Sequence, residues 1–137
     1  MKIIICGSII FSKEMIKIAQ KLKSKNHEII LPHNVEKYAQ EELKNETSSE
    51  ATQNKIKNDL IRDYYNKIKN SDAILVTNFD KNNIKNYIGG NVFLEIGYAH
   101  VLNKTIFLLN DIPKMPYSEE IEAMQPVIIN NDLSKIK

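Results

Sequence analysis

The sequence has a single cysteine, Cys6, which excludes an internal disulfide and a cysteine-rich metal site. It contains no apolar run long enough to span a membrane and no internal repeat. It also lacks a block of like charge. Nineteen basic residues against seventeen acidic leave a net charge of +2. The lysines are spread through amphipathic segments, as on solvated helix faces, so neither nucleic acid nor an anionic membrane is expected as a partner. The nucleotide-binding signatures are missing: there is no Walker motif, and no Gly-x-Gly-x-x-Gly follows the first apolar run. No Gly-x-Ser-x-Gly elbow is present, so Ser8 is expected to be a turn or ligand-contact hydroxyl rather than a nucleophile. His27, His33 and His100 lie far apart and lack zinc spacing, so each is expected at the surface or an interface rather than on a metal. The start, Met-Lys-Ile-Ile-Ile-Cys, is too short for a signal peptide and reads as a strand. With one thiol, a reducing cytoplasm is the expected setting.

What is present is an alternation of buried strands and amphipathic helices over 137 residues, the size of one domain. Ile3 to Cys6 is a continuous β-branched run, suited to a strand covered on both faces. After Gly7-Ser8, the spacing of Met15, Ile16, Ile18, Ala19 and Leu22 predicts a helix over 12–24. Glu28 to Leu31 is a second strand, stopped by Pro32. The polar stretch 32–53 is expected to make a mobile excursion over one end of the sheet, a lid being one form of it. Val35, Tyr38, Ala39 and Leu43 suggest a weak helix there. A helix follows over 52–70, with Ile56, Leu60, Ile61, Tyr64 and Ile68 on one face and Asp63 beside it. Strands are expected at 73–76, 105–109 and 127–129, and a short helix at 118–124 with Ser118 as its cap. This order predicts an α/β three-layer sandwich, Rossmann-like or flavodoxin-like, with a parallel sheet of about five strands.

The most informative stretch is Tyr87-Ile-Gly-Gly-Asn-Val-Phe-Leu-Glu-Ile-Gly-Tyr-Ala-His100. Gly89 and Gly90 permit close backbone approach to a ligand or a positive φ. Asn91 stands where an N-cap belongs, which places Glu95 about one turn into an otherwise mostly apolar helix. Its charge is favoured there by the N-terminal end of the helix dipole. Glu95 is either a solvated residue on the outer face or a functional carboxylate. Open parallel sheets bind ligands beyond the carboxyl ends of their strands. Three loops meet that description: Cys6-Gly7-Ser8, 77–80 and 87–91. Asp63 and Glu95 then form a pair of carboxylates on two helices, with Tyr64 and Tyr65 close by. Such a pair suits glycosidic bond cleavage, one group attacking the anomeric carbon and the other handling protons.

The start Cys-Gly-Ser-Ile, an Asp-containing helix leading into Ser71-Asp-Ala-Ile-Leu-Val76, and the block Glu95-Ile-Gly-Tyr-Ala followed by Asn103-Lys-Thr-Ile-Phe-Leu-Leu109 resemble the nucleoside 2-deoxyribosyltransferase family. That family includes the small 2′-deoxynucleoside 5′-phosphate N-hydrolases. The resemblance runs from residue 2 to about 124 and is weakest over 32–53. It implies the same flavodoxin-like fold and no cofactor or metal. It assigns Glu95 as the nucleophile of a covalent glycosyl-enzyme and Asp63 as the assisting acid. Gly7, Ser8, Tyr64, Asn78, Gly89, Gly90 and Asn91 would contact a small-molecule nucleoside or nucleotide. A homodimer or higher homo-oligomer is implied, with a neighbour's C-terminal segment completing the site.

The chain departs from the family at Ile4, where an aromatic is usual, and at Ile10, where the phosphate-hydrolase branch has an arginine. Glu122 stands near a phosphate-holding serine position, and Gly89 occupies a position usually Asp or Ser. Loss of an arginine and gain of an acid both disfavour a 5′-phosphate, so a nucleoside is the expected substrate, the alternative being a nucleotide held by the Gly89-Gly90 amides and Ser8 alone. The alternative to an enzyme is a catalytically inactive nucleoside- or nucleotide-binding module. A further reading is an interaction scaffold with Glu95 as an ordinary surface residue.

Overall fold

The computed structural model describes residues 1–40 and 48–137. Five strands form one parallel sheet: β1 (Lys2–Cys6), β2 (Glu28–Ile30), β3 (Ala73–Val76), β4 (Thr105–Leu108) and β5 (Val127–Ile128). Their order is β2-β1-β3-β4-β5, and every neighbouring pair is parallel. This is the flavodoxin-like order, in which the chain reverses direction across the sheet between β1 and β3.

The central strands are apolar throughout because both of their faces are covered. Ile3 and Ile5 of β1 pack with Met15, Ala19 and Leu22 of helix α1 (Ser12–Lys23). Ile4 and Cys6 point the other way, into a cluster with residues of α4 (Leu60–Lys69) and α5 (Gly90–Val101). Tyr64, Ile68, Val92, Ile96 and Ala99 make up that second layer, with Ile121 of the short helix α6 (Ser118–Ala123). The two-residue alternation along β1 thus builds both cores of a three-layer sandwich. Ile4 is wholly buried in the α4–α5 layer.

Between β2 and α4 lie α2 (Val35–Ala39) and α3 (Ser48–Lys57). Of the weak helix expected here, Val35, Tyr38 and Ala39 belong to α2, while Leu43 lies outside the described residues. The single helix expected over 52–70 is two. Asp59 adopts a left-handed conformation (φ 47°, ψ 46°) between α3 and α4. The Asn58 side chain donates back to the Asn54 carbonyl at 3.2 Å. Asn and Asp tolerate this geometry and compete with helical hydrogen bonding, so the pair ends one helix and starts the next. As a result Ile56 is exposed instead of sharing the buried face of Tyr64 and Ile68.

Two expected caps are also displaced. Tyr117, not Ser118, precedes α6. The Ser118 hydroxyl instead donates towards the carbonyls of Pro113 and Met115 and accepts from the Met115 amide at 2.7 Å, closing the preceding turn. Helix α5 is capped by Gly89, whose extended backbone (φ −80°, ψ 171°) supplies the non-helical entry, and Asn91 lies inside the first turn. Among the described residues no helix is long and apolar enough to cross a membrane.

Gly7 has a negative φ, and space is what requires a glycine there. A Cβ at this position would sit 2.1 Å from the Thr77 hydroxyl, which is buried where β1 and β3 leave the sheet side by side. Gly7→Ala is therefore expected to destabilise the protein by roughly 1–3 kcal/mol through overpacking. Thermal or urea unfolding checks this, and an unchanged midpoint would mean that the two strand ends separate without penalty.

Candidate active site

The carboxyl ends of β1 and β3 and the N-terminus of α5 open into one cavity of about 430 Å³. Glu95 lines it from the second turn of α5 and is only 7% exposed. The Asn91 amide, one turn earlier on the same helix, donates to Glu95 Oε1 at 3.3 Å. Glu95 Oε2 is buried with no hydrogen-bond donor among the described residues. Burial pushes the Glu95 carboxyl up to about 7; the neighbouring Cys6 thiol and the Lys55 ammonium partly offset that rise. A buried carboxylate with an unsatisfied oxygen is costly to keep, and such groups concentrate at functional sites.

Cys6 lies at the end of β1. Its thiol is pushed well up by burial and by the adjacent Glu95 carboxylate, so it stays protonated. Tyr64 lines the cavity from α4, and its hydroxyl donates to the Ile5 carbonyl. Burial, with the nearby Cys6, Glu95 and Asp63 groups, holds that phenol protonated. The glycine cap of α5 has no side chain to bond the helix's first amides. Gly89, Gly90 and Asn91 line the cavity there, and unpaired N–H groups at a helix start favour an anion.

No family model matches the chain, and no curated protein is significantly similar to it. A solved structure does match: the CMP N-glycosidase BcmB of Clostridium botulinum. The two are 15% identical, the match covers 99% of this chain and 98% of that one, and the TM-score is 0.56. The chain shares the fold of a CMP N-glycosidase. The likeness covers nearly the whole of both chains and agrees with the resemblance carried by the sequence motifs.

The structure brings together most of the residues singled out in the sequence. Gly7, Ser8 and Tyr64 line the cavity, as do Gly89, Gly90, Asn91 and Glu95. Two do not. Asp63 is absent from the lining, and its carboxylate takes the Lys67 ammonium at 2.8 Å one turn along α4. Asn78 is buried and committed to structure: its amide donates to the carbonyls of Asn110 and Asp111 at 2.9 and 3.0 Å, and its oxygen accepts from the Asn110 amide. It locks the end of β3 to that of β4 with both of its amide protons, and it does not line the cavity. Ile10 is exposed and Glu122 is exposed, and neither lines the cavity.

The polar excursion supplies wall residues that sequence reading missed: His33, Asn34 and Tyr38 around α2, and Asn54 and Lys55 on α3. Lys81 and Tyr98 were also missed, while Tyr87 lines the cavity from the expected 87–91 loop. The signal available for the excursion was a cluster of His, Asn and Tyr in an otherwise bland segment directly after a strand's carboxyl end.

The raised Glu95 pKa has a stability consequence. The ordinary glutamate value is 4.5, so folding favours the protonated form between pH 4.5 and about 7. Stability falls as pH rises across that window, by about 3 kcal/mol at pH 8. Glu95→Gln is therefore expected to melt well above the wild type at pH 8 and near it at pH 4.5. Equal melting differences at the two pH values would show that the carboxylate carries no burial penalty.

Proposed function

We propose that this protein cleaves or transfers the N-glycosidic bond of a (2-deoxy)nucleoside or nucleotide through a covalent glycosyl–Glu95 intermediate. The observation that carries this reading is the buried, under-hydrogen-bonded Glu95 carboxylate in the wall of the cavity. The likeness to a CMP N-glycosidase supports the bond class. In the first step a Glu95 oxygen bonds to the anomeric carbon as the bond to the base nitrogen breaks, and the base leaves with that electron pair and gains a proton. In the second step water, or the nitrogen of another base, attacks the same carbon and frees Glu95. The Asn91 amide holds Oε1 and orients the carboxylate. No cofactor or metal is required, because the carboxylate is the nucleophile and its burial weakens its attachment to solvent.

Asp63 assists with protons in this reading only by releasing Lys67. That ion pair is the observation favouring the second reading, a catalytically inactive binding module with the same pocket. The exposed apolar side chains Ile61 on α4 and Leu94 and Val101 on α5 are where a second copy would pack in a homodimer.

The test is release of free base from a panel of nucleosides and their 5′-monophosphates, with and without an added acceptor base. The nucleophile must be ionised, so kcat/KM is expected to rise with pH through about 7 on its acid side. Glu95→Gln should lose on the order of a thousandfold or more. Binding without base release from any substrate would favour the inactive module.

A further inference from the structure

The charges in the cavity wall are unbalanced. Among the described residues, against the one carboxylate, Glu95, stand two ammonium groups, Lys55 and Lys81. Lys81 is the better defined. Its Nζ donates to Ser8 Oγ at 2.9 Å and lies 5.8 Å from the centre of the Tyr87 ring. Among the described residues no carboxylate pairs with it. It is half-buried, so it is partly removed from water, beside a hydroxyl and a ring face.

The backbone that carries Lys81 is built to hold it. Lys81 and Ile84 exchange backbone hydrogen bonds at 3.1 and 2.9 Å, closing a tight turn through Asn82 and Asn83, both left-handed. Asp80 accepts from the Asn86 amide at 2.9 Å, and the Tyr87 amide donates to the Phe79 carbonyl at 3.0 Å. The ammonium is thus delivered by a closed loop, which lowers the entropy lost when a ligand engages it. Having accepted from Lys81, the Ser8 hydroxyl keeps its own proton to donate. The uncapped amides at the start of α5 line the same cavity.

We infer that Lys81, with Ser8, binds the 5′-phosphate of a nucleoside 5′-monophosphate and sets the preference for it over the nucleoside. This rests on the N-glycosidase reading for the identity of the ligand. The missing arginine at position 10 does not deprive the site of a cation: Ile10 is exposed and outside the cavity lining, and the charge arrives from the segment between β3 and α5. A lysine serves a phosphate as a point charge, and its position here is fixed from its own side by the hydroxyl and the ring.

The experiment is calorimetric binding of a 2′-deoxynucleoside 5′-monophosphate and of its parent nucleoside, with base release measured on the same pairs. The wild type should bind the monophosphate more tightly by roughly 10- to 100-fold, the range of a charge-assisted hydrogen bond. Lys81→Met should reduce that ratio towards one, and Lys81→Arg should retain most of it. Lys85→Met, an exposed lysine on the same turn, should leave it intact. Equal affinity of the wild type for the two ligands overturns the inference, and so does a preference that survives Lys81→Met. Base released from both ligands with no phosphate preference sinks this inference and leaves the N-glycosidase reading standing. A phosphate preference lost in Lys81→Met, without base release from either ligand, keeps the inference and sinks that reading.

Discussion

Where β1 and β3 leave the sheet, Cys6 pairs with Val76, and the next residues, Gly7 and Thr77, run in contact. The site depends on that junction. The Thr77 amide donates to the Cys6 carbonyl at 2.9 Å, extending the ladder one step past the strands. The missing Cβ of Gly7 lets the two chains stay that close. From there the β1 branch turns into Ser8, and the β3 branch runs to Lys81 and on to the Gly89 cap of α5. Because the sheet order reverses across this pair, the two branches part and leave a crevice between them. The Lys81–Ser8 bond spans it.

Glu95 turns that crevice into a candidate for chemistry. The helix that carries it is apolar because it packs on β3 and β4 through Val92, Ile96 and Ala99. A carboxylate on such a helix is drawn into the interior with it. The Asn91 amide and the Cys6 thiol relieve only part of the desolvation, and Oε2 keeps no donor. Among the described residues around it there is no acidic competitor: Asp63 is tied to Lys67, and the phenol of Tyr64 is held by the Ile5 carbonyl. The charge of this one group near neutral pH therefore governs what the cavity can do.

The fold was largely legible because its signals are local. Continuous apolar runs marked β1, β3 and β4, and period-3.6 spacing marked α1, α4 and α5. The Gly89–Glu95 stretch was legible for the same reason. What failed to show depended on geometry or on distant partners. A glycine cap leaves no side-chain signature, so Asn91 was read as the cap. Among the described residues left-handed positions fall mostly on asparagines, eight of the ten non-glycine cases, while no glycine has a positive φ. The polar loop after β3 was legible, but turn reading keyed to glycine gave no sign of the tight turn through Asn82 and Asn83 that holds Lys81. The Lys81–Ser8 contact joins residues 73 apart, and the Asn78–Asn110 lock joins residues 32 apart. The Asp63–Lys67 pair, by contrast, has i,i+4 spacing, and that spacing was a visible warning against using Asp63 as a free carboxylate.

The central claim is that Glu95 forms a covalent bond to the sugar. Acid-quenched mass spectrometry of the protein, taken during turnover of a 2′-deoxynucleoside or its 5′-monophosphate, tests it most directly. The account predicts an added mass equal to the sugar or sugar phosphate without its base, mapped to the peptide holding Glu95 and absent from Glu95→Gln. Base release with no adduct at any time, and with Glu95→Gln turning over at the wild-type rate, would contradict it.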